Sequence, residues 1–343
     1  MRKIFLFISV FSAVSVCSAT VITVDDDGPA DFNNIQAAIT ACNNGDVVVV
    51  APGTYYENIH MKNGVTVRGA GADVTTINGG GNGHVVVFNL ASGTISGFTI
   101  TNSGHSPLYV GGIFTSQCNV IIENNIVVNN NKGIILSSNS TATIAGNQII
   151  NNTGRGIQLS SSYATIANNV IAGNSYAGIY CDNSSPLIVN NTIYDNGHYG
   201  IRCNPISTQV IVNNIITHNE YGIMALGGSE SPVPLLEISY NNVWSNSEAN
   251  YWYEWAIICI PEDPYCEPDG ASEPFEPQPG TGEISTDPLF ANPDNDDYHL
   301  KSTAGRWSPN TQSWVKDSNT SPVLMRVTGR RRLALNLFPM AAG

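Results

Sequence analysis

The chain has 343 residues, 42% hydrophobic and 12% charged, with 32 Gly and a formal net charge of −13. So few charges exclude a large helical assembly, whose solvent faces need them, and the glycines point to short strands joined by uncharged turns. The acidic balance excludes nucleic acid as a partner, because phosphate contacts need clustered Lys and Arg.

Met1-Arg2-Lys3 and the apolar run 4–16 read as a secretory signal peptide, residues 1–19, cleaved after Ala19. The run is too short to span a bilayer, and no later stretch reads as transmembrane. The expected destination is secreted, extracellular or periplasmic. Residues 20–60 form the predicted N-terminal cap and first strand. A strand is expected at 21–24, then a turn. A helix follows from Asn33, with Ile35, Ala38, Ile39 and Cys42 at helical spacing. Asn43-Asn-Gly-Asp46 stops it, 47–50 is an apolar strand, and 51–58 is a polar loop. A short amphipathic helix here has a purpose: the end of a stacked coil exposes apolar interior and unpaired backbone, and must be covered.

Residues 61–246 are predicted to be coils. Short apolar strands at 65–67, 85–88, 94–95 and 98–100 lead into a repeat that carries a Gly-Ile pair at Gly133, Gly156, Gly178, Gly200 and Gly222, spaced 23, 22, 22 and 22 residues apart. A fixed period of this length signals a solenoid, in which each repeat buries its apolar side only against its neighbours. Equal positions then stack. Two asparagine columns are expected, one through Asn124, Asn147, Asn168, Asn190, Asn213 and Asn241, the other through Asn130, Asn152, Asn174, Asn196, Asn219 and Asn246. Amide side chains stacked in this way can bond along the column. Cys181 and Cys203 fall at one place in successive repeats, where either a disulfide or two buried thiols would fit; Cys259 and Cys266 share a loop and could bridge.

Residues 247–286 break the period and read as an irregular aromatic, acidic and Pro-rich loop. Residues 287–322 read as a closing coil.

The stretches FNNIQAAITACNNGDVVVVAPGTYYENI (32–59) and NGVTVRGAG (63–71), with the Asn/Gly/Ile repeats after them, resemble the pectin-lyase-like superfamily of exported right-handed parallel β-helices. The resemblance covers roughly 20–300. It implies an all-β fold, a right-handed parallel β-helix solenoid with a short N-terminal capping helix. It says little about chemistry, because the superfamily includes lyases, hydrolases, esterases, epimerases and non-catalytic binders. The tail 323–343 departs from the closing words of that family, Ser-Pro-Cys-Ile-Asp-Ala-Gly-Asp. Codons permitted for 323–328 and 336–342 can spell family-like words one base earlier, so a frameshift near Pro322 is expected, and the nucleotide sequence tests it.

One column beside the repeat glycine gathers side chains suited to sugars: Lys132, Arg155, Tyr176, Tyr180, His198, Tyr199, Arg202 and Tyr221. Aromatic faces suit sugar rings, and cations pair with acidic groups. Any one of these is equally well an ordinary turn residue; as a ladder they point to a polysaccharide or cell-envelope glycan as partner. The leading expectation is an exported β-helix protein that interacts with carbohydrate and carries no clear catalytic set. A second reading is a polysaccharide lyase performing β-elimination on uronic-acid polymers. The resemblance to pectate lyases would then cast Arg155 or Arg202 as the base, with Asp182 and Asp195 as acidic ligands of Ca²⁺. Only under that reading is a cofactor expected. A third reading is a structural or adhesive surface repeat protein. The six His are scattered without Zn or Cu spacing, and no metal site is predicted.

Overall fold

The computed structural model describes residues 19–105, 110–204, 208–227, 236–255, 272–274, 282–295, 297–308 and 311–325. The signal segment, Cys17, Cys259, Cys266, most of the Pro-rich loop and the tail beyond 325 lie outside them. Strand Val21–Val24 opens the chain and pairs parallel with Val47–Val50. Between them runs helix Ile35–Ala41, with Ile35, Ala38 and Ile39 buried. Asn34 caps it, accepting from the Ala37 amide at 2.8 Å. The Glu57 carboxylate takes the amides of Ile35 and Gln36 at 2.7 and 2.9 Å, satisfying first-turn donors that otherwise lack partners. This is the expected cap. The loop at 51–58 also contains a strand, Gly53–Tyr55, too short and polar to show as a period.

Among the described residues three sheets follow, of ten, nine and ten strands, parallel except where Ser272–Pro274 pairs antiparallel with Ala249–Trp255 at the edge of one. Each coil contributes one strand to each in turn, for example Ile134–Ser137, Thr141–Ala145 and Gln148–Ile150. We call the sheets third, first and second in that order, the first being the one that starts with Val21–Val24. Register is strict: Ile113, Ile134, Ile157, Ile179, Ile201 and Ile223 follow one another up the third sheet, and all are fully buried. Each buried isoleucine contributes about 1.5–3 kcal/mol. The repeat glycines form one line, as expected. A Cβ on Gly156, Gly178 or Gly200 would lie within 2.6–2.7 Å of the next glycine's carbonyl and within 2.8–3.0 Å of an Asn amide nitrogen. These positions are Gly for lack of space rather than for a special backbone angle.

The asparagine columns are real, with one correction. The second is as predicted, from Asn130 to Asn246. The first runs through Asn125, Asn147, Asn169, Asn191, Asn214 and Asn241. Asn124, Asn168, Asn190 and Asn213 stand one residue earlier, with φ of 54–57°. The Asn-Asn pair thus divides its labour: the first supplies the left-handed corner that Asn tolerates, the second the buried amide. Each buried amide binds three coils. Asn169 donates from Nδ2 to the Ile144 carbonyl below and to Asn191 Oδ1 above, and its Oδ1 accepts from Asn147.

Two further corrections concern the end of the chain. The supposed loop contains Ala249–Trp255, an in-register strand of the third sheet; Asn250-Tyr251 replaces Gly-Ile there, which hid it. Residues 283–286 add a partial coil: Glu283 Oε1 receives the Asn241 amide and side-chain amide at 2.8 and 3.1 Å, and Ile284 bridges to Asn242. The expected closing coil at 287–322 forms instead two antiparallel ribbons, Phe290–Asn292 with Asp297–Leu300 and Arg306–Ser308 with Ser313–Val315. Pro288 and Pro293 have no N–H to offer a parallel rung. This arm lays Phe290, Leu300 and Val323 on Tyr194 and Ile215 of the second sheet. It is tied by Arg306, which bonds Asp297 at 3.1 Å and Asp317 at 2.9 Å. Cys181 and Cys203 are register partners, buried as free thiols.

Candidate functional site

Alternate residues of a strand face opposite sides. On the third sheet the residue two past each repeat glycine therefore points outward, and pairing places Phe114, Ile135, Gln158, Tyr180, Arg202, Met224 and Trp252 in one outer column. The residue before each glycine starts a second column, with Ala177, Tyr199, Tyr221 and Ala249 in register. The corner just before it contributes Tyr176, His198 and Glu220. Three neighbouring lines of outward side chains thus share one face, because strand register is kept even though the corner before the repeat position is one residue shorter at Asn130–Gly133 and Asn219–Gly222 than in the other coils.

The lower part of this face is a cationic shelf. The Arg155 guanidinium lies 3.6 Å from the Tyr180 ring centroid and 5.4 Å from that of Tyr176. Arg202 lies 5.3 Å from Tyr180 and 5.1 Å from Tyr199, and donates to the Tyr176 hydroxyl at 2.9 Å. Cations over aromatic faces are favourable, and this fixes both planar groups. Among the described residues neither arginine has an ion pair. Lys132 stands one coil below Arg155; burial, then the nearby Arg155 charge, pulls its ammonium below the usual lysine value.

The upper part is an aromatic hollow of about 210 Å³ lined by His198, Tyr199, Tyr221, Met224, Trp252 and Glu254. Tyr199 stacks on His198 at 4.3 Å and on Tyr221 at 5.7 Å, and Tyr221 meets Trp252 at 5.6 Å. Tyr176 meets Tyr199 edge-on at 5.6 Å. Glu220 bonds the His198 imidazole. Burial pushes the Tyr199 hydroxyl up to about 12, against the pull of Arg202. Burial likewise raises Tyr221, helped by Glu220, Glu248 and Glu254.

The structure thus brings Lys132, Arg155, Tyr176, Tyr180, His198, Tyr199, Arg202 and Tyr221 onto one face. Asp182 lies on the same strand as Tyr180, held by the Asn204 side-chain amide at 3.1 Å. Asp195 stands apart. It is a left-handed corner residue after the second-sheet strand, its amide bonded to the Thr217 carbonyl, and it joins neither arginine. Met224, Trp252 and Glu254 were missed. Counting two past Gly222 would have found Met224; Trp252 was hidden by the lost glycine.

These sheets and this capped stack define the class: a right-handed parallel β-helix of the pectin-lyase-like fold. Residues 39–255 match the family described as "Periplasmic copper-binding protein (NosD)", and the chain belongs to that family. Residues 265–326 match a second family described as "Disaggregatase related". No curated protein sequence is similar enough to match. Among solved structures, pectin methylesterase from carrot is 12% identical, with 62% of this chain and 82% of that one covered and a TM-score of 0.50. A mannuronan C-5 epimerase module from Azotobacter vinelandii is 18% identical over 64% of this chain and 73% of its own, with a TM-score of 0.48. An alginate lyase from Paenibacillus sp. is 16% identical over 60% and 95%, with a TM-score of 0.44. Likenesses at this level concern the fold. Among the described residues no helix is long and apolar enough to cross a membrane.

Copper favours imidazole nitrogen and soft sulfur donors. Among the described residues the one set of three or more His, Cys, Asp or Glu with converging ligand atoms is Asp25, Asp26 and Asp27. That is an all-oxygen set suited to hard cations. Cys42, Cys181 and Cys203 are buried in the core. His198 and Met224 share the hollow, but no further nitrogen or sulfur ligand lines it. The described residues do not assemble a copper donor set, and no chemistry is routed through that metal here.

Proposed function

We propose that this is an exported protein of the cell envelope or extracellular space that binds carbohydrate along the outer face of its third sheet. The observation that carries this reading is the aromatic cluster of half-buried Tyr176, Tyr221 and Trp252 packed around buried Tyr199 beside an open hollow. Aromatic rings with polar edges desolvate a sugar's C–H face while leaving hydroxyls within reach of hydrogen-bonding groups. His198, Glu254 and the tyrosine hydroxyls supply those groups. A linear polymer also suits a face whose side chains repeat about every 4.8 Å. The neighbour whose fold this chain shares is named for pectin, which fits the reading. The family's periplasmic description supports export. The lyase reading has the two arginines in its favour, but Asp195 lies on another corner, so binding is the better-supported role. Affinity electrophoresis in gels containing soluble polysaccharides tests it. Retardation by at least one polymer, weakened about tenfold or more in Trp252→Ala or Tyr221→Ala, is expected. Unchanged mobility in every acidic and neutral polymer would refute it.

A further inference from the structure

The charges on this face are sorted along the helix axis. Lys132, Arg155 and Arg202 belong to the lower coils, on the strands Ile134–Ser137, Ile157–Ser160 and Tyr199–Cys203 or just before them. Glu220, Glu248 and Glu254 belong to the upper coils, around the strands Tyr221–Gly227 and Ala249–Trp255. The aromatic hollow sits among the acids: Glu254 lines it, and Glu220 is joined to His198 at its edge. Asp182 is the exception to this sorting: it is exposed at the end of the strand between the two arginine coils, where it accepts from the Asn204 side-chain amide at 3.1 Å.

From this sorting we infer that the ligand is a glycan of mixed charge, with an anionic sugar on the Arg155–Arg202 shelf and an uncharged ring in the hollow beside it. The inference rests on the carbohydrate reading above and adds the ligand class. The shelf is built for an anion. Both guanidinium groups are held by ring faces; Arg202 spends one N–H on the Tyr176 hydroxyl, and the remaining donors of the pair are left for a carboxylate or a sulfate. Arg202 Nε is buried without a hydrogen-bond partner. A buried donor of this kind is costly until something accepts from it. The hollow is built for a neutral ring. A polymer charged on every residue would place its next carboxylates against Glu254 and Glu248, where like charges repel and binding is lost. A fully neutral polymer would fill the hollow and leave the arginines without an anion.

Isothermal titration of the full chain at low salt tests this with three probe types. The first is hyaluronan oligosaccharides, which alternate a uronate with an uncharged amino sugar. The others are polygalacturonate, charged on every residue, and dextran, uncharged. Support is at least tenfold tighter binding of the alternating probe than of the other two. Arg155→Ala with Arg202→Ala should then reduce it to the level of dextran, and Trp252→Ala should weaken it with the fold intact by circular dichroism. Arg155→Lys with Arg202→Lys should restore part of the affinity, because charge returns without the bidentate edge. Polygalacturonate binding as tightly as hyaluronan, or affinity that survives loss of both arginines, would overturn the inference and leave the carbohydrate reading standing. No binding to any of the three would overturn both.

Discussion

Single residues in this chain are constrained mainly by what lies directly above and below them. A Cβ added at Gly178 would sit 2.7 Å from the Gly200 carbonyl oxygen and 2.9 Å from Ile193 Cγ2. Backbone cannot yield as a flexible side chain does, so Gly178→Ala should lower stability by about 1–3 kcal/mol, read as a lower urea midpoint at unchanged slope. The opposite change is available at Ser245, which holds φ at 52° in a corner where other coils use Asn, Gly, Asp or His. An L-residue in that region costs about 1–2 kcal/mol more than Gly, so Ser245→Gly should raise the midpoint. Both outcomes separate the two duties of glycine in this fold, which a sequence alone does not distinguish.

Among the elements, the buried asparagine columns carry the most consequence. Asn174 donates to the Ile149 carbonyl at 3.0 Å and to Asn196 at 2.9 Å, and accepts from Asn152. Replacing it with Ala strands buried groups on both sides, each worth about 1–3 kcal/mol. Asn174→Ala should therefore be more damaging than Asn250→Ala, whose Oδ1 accepts from Asn246 and whose amide bonds Ser285 at the half-exposed end, where water can take over. Thermal unfolding of the two variants compares them. The columns also show what was legible. Period, glycine line, helix cap and second asparagine column were all readable, because each repeats or obeys a local rule. The first column was displaced by one residue, because in an Asn-Asn pair either amide could face inward and only the corner's φ decides. The strand Ala249–Trp255 went unread because Tyr251 and Tyr253 fill interior positions that the coils before it give to Ile and to Leu, Cys or Ala. The upper half of the candidate site was lost with it. A third corner column, buried Ser140, Ser162 and Ser184, gave no signal, since serines are common in any turn.

At the scale of the molecule, the C-terminal arm is a separate layer on the second sheet, held to it by apolar contacts, and its internal clasp depends on pH. Burial opposes the charge of Asp317, but the Ser302 amide and the Arg306 guanidinium outweigh it and hold the carboxyl below its ordinary value. The stability it adds is thus complete above about pH 4, the unfolded value, and is lost as pH falls through the lower folded value. Acid titration should open this clasp, reported by the fluorescence of Trp307 and Trp314, before the coils melt by circular dichroism. Asp317→Asn should loosen the arm at neutral pH and flatten that acid dependence. The other end-of-stack contact has a different kind of consequence. Every amide in the first asparagine column donates upward, coil to coil, so six side-chain dipoles point the same way, and the last donor meets the carboxylate of Glu283. The column therefore has an electrical polarity, with a negative group at its positive terminus, much as a helix does at its amino end. A coil could be duplicated within such a stack without disturbing it, and the two columns close on different acceptors: the first on the Glu283 carboxylate, the second on the neutral amide oxygen of Asn250.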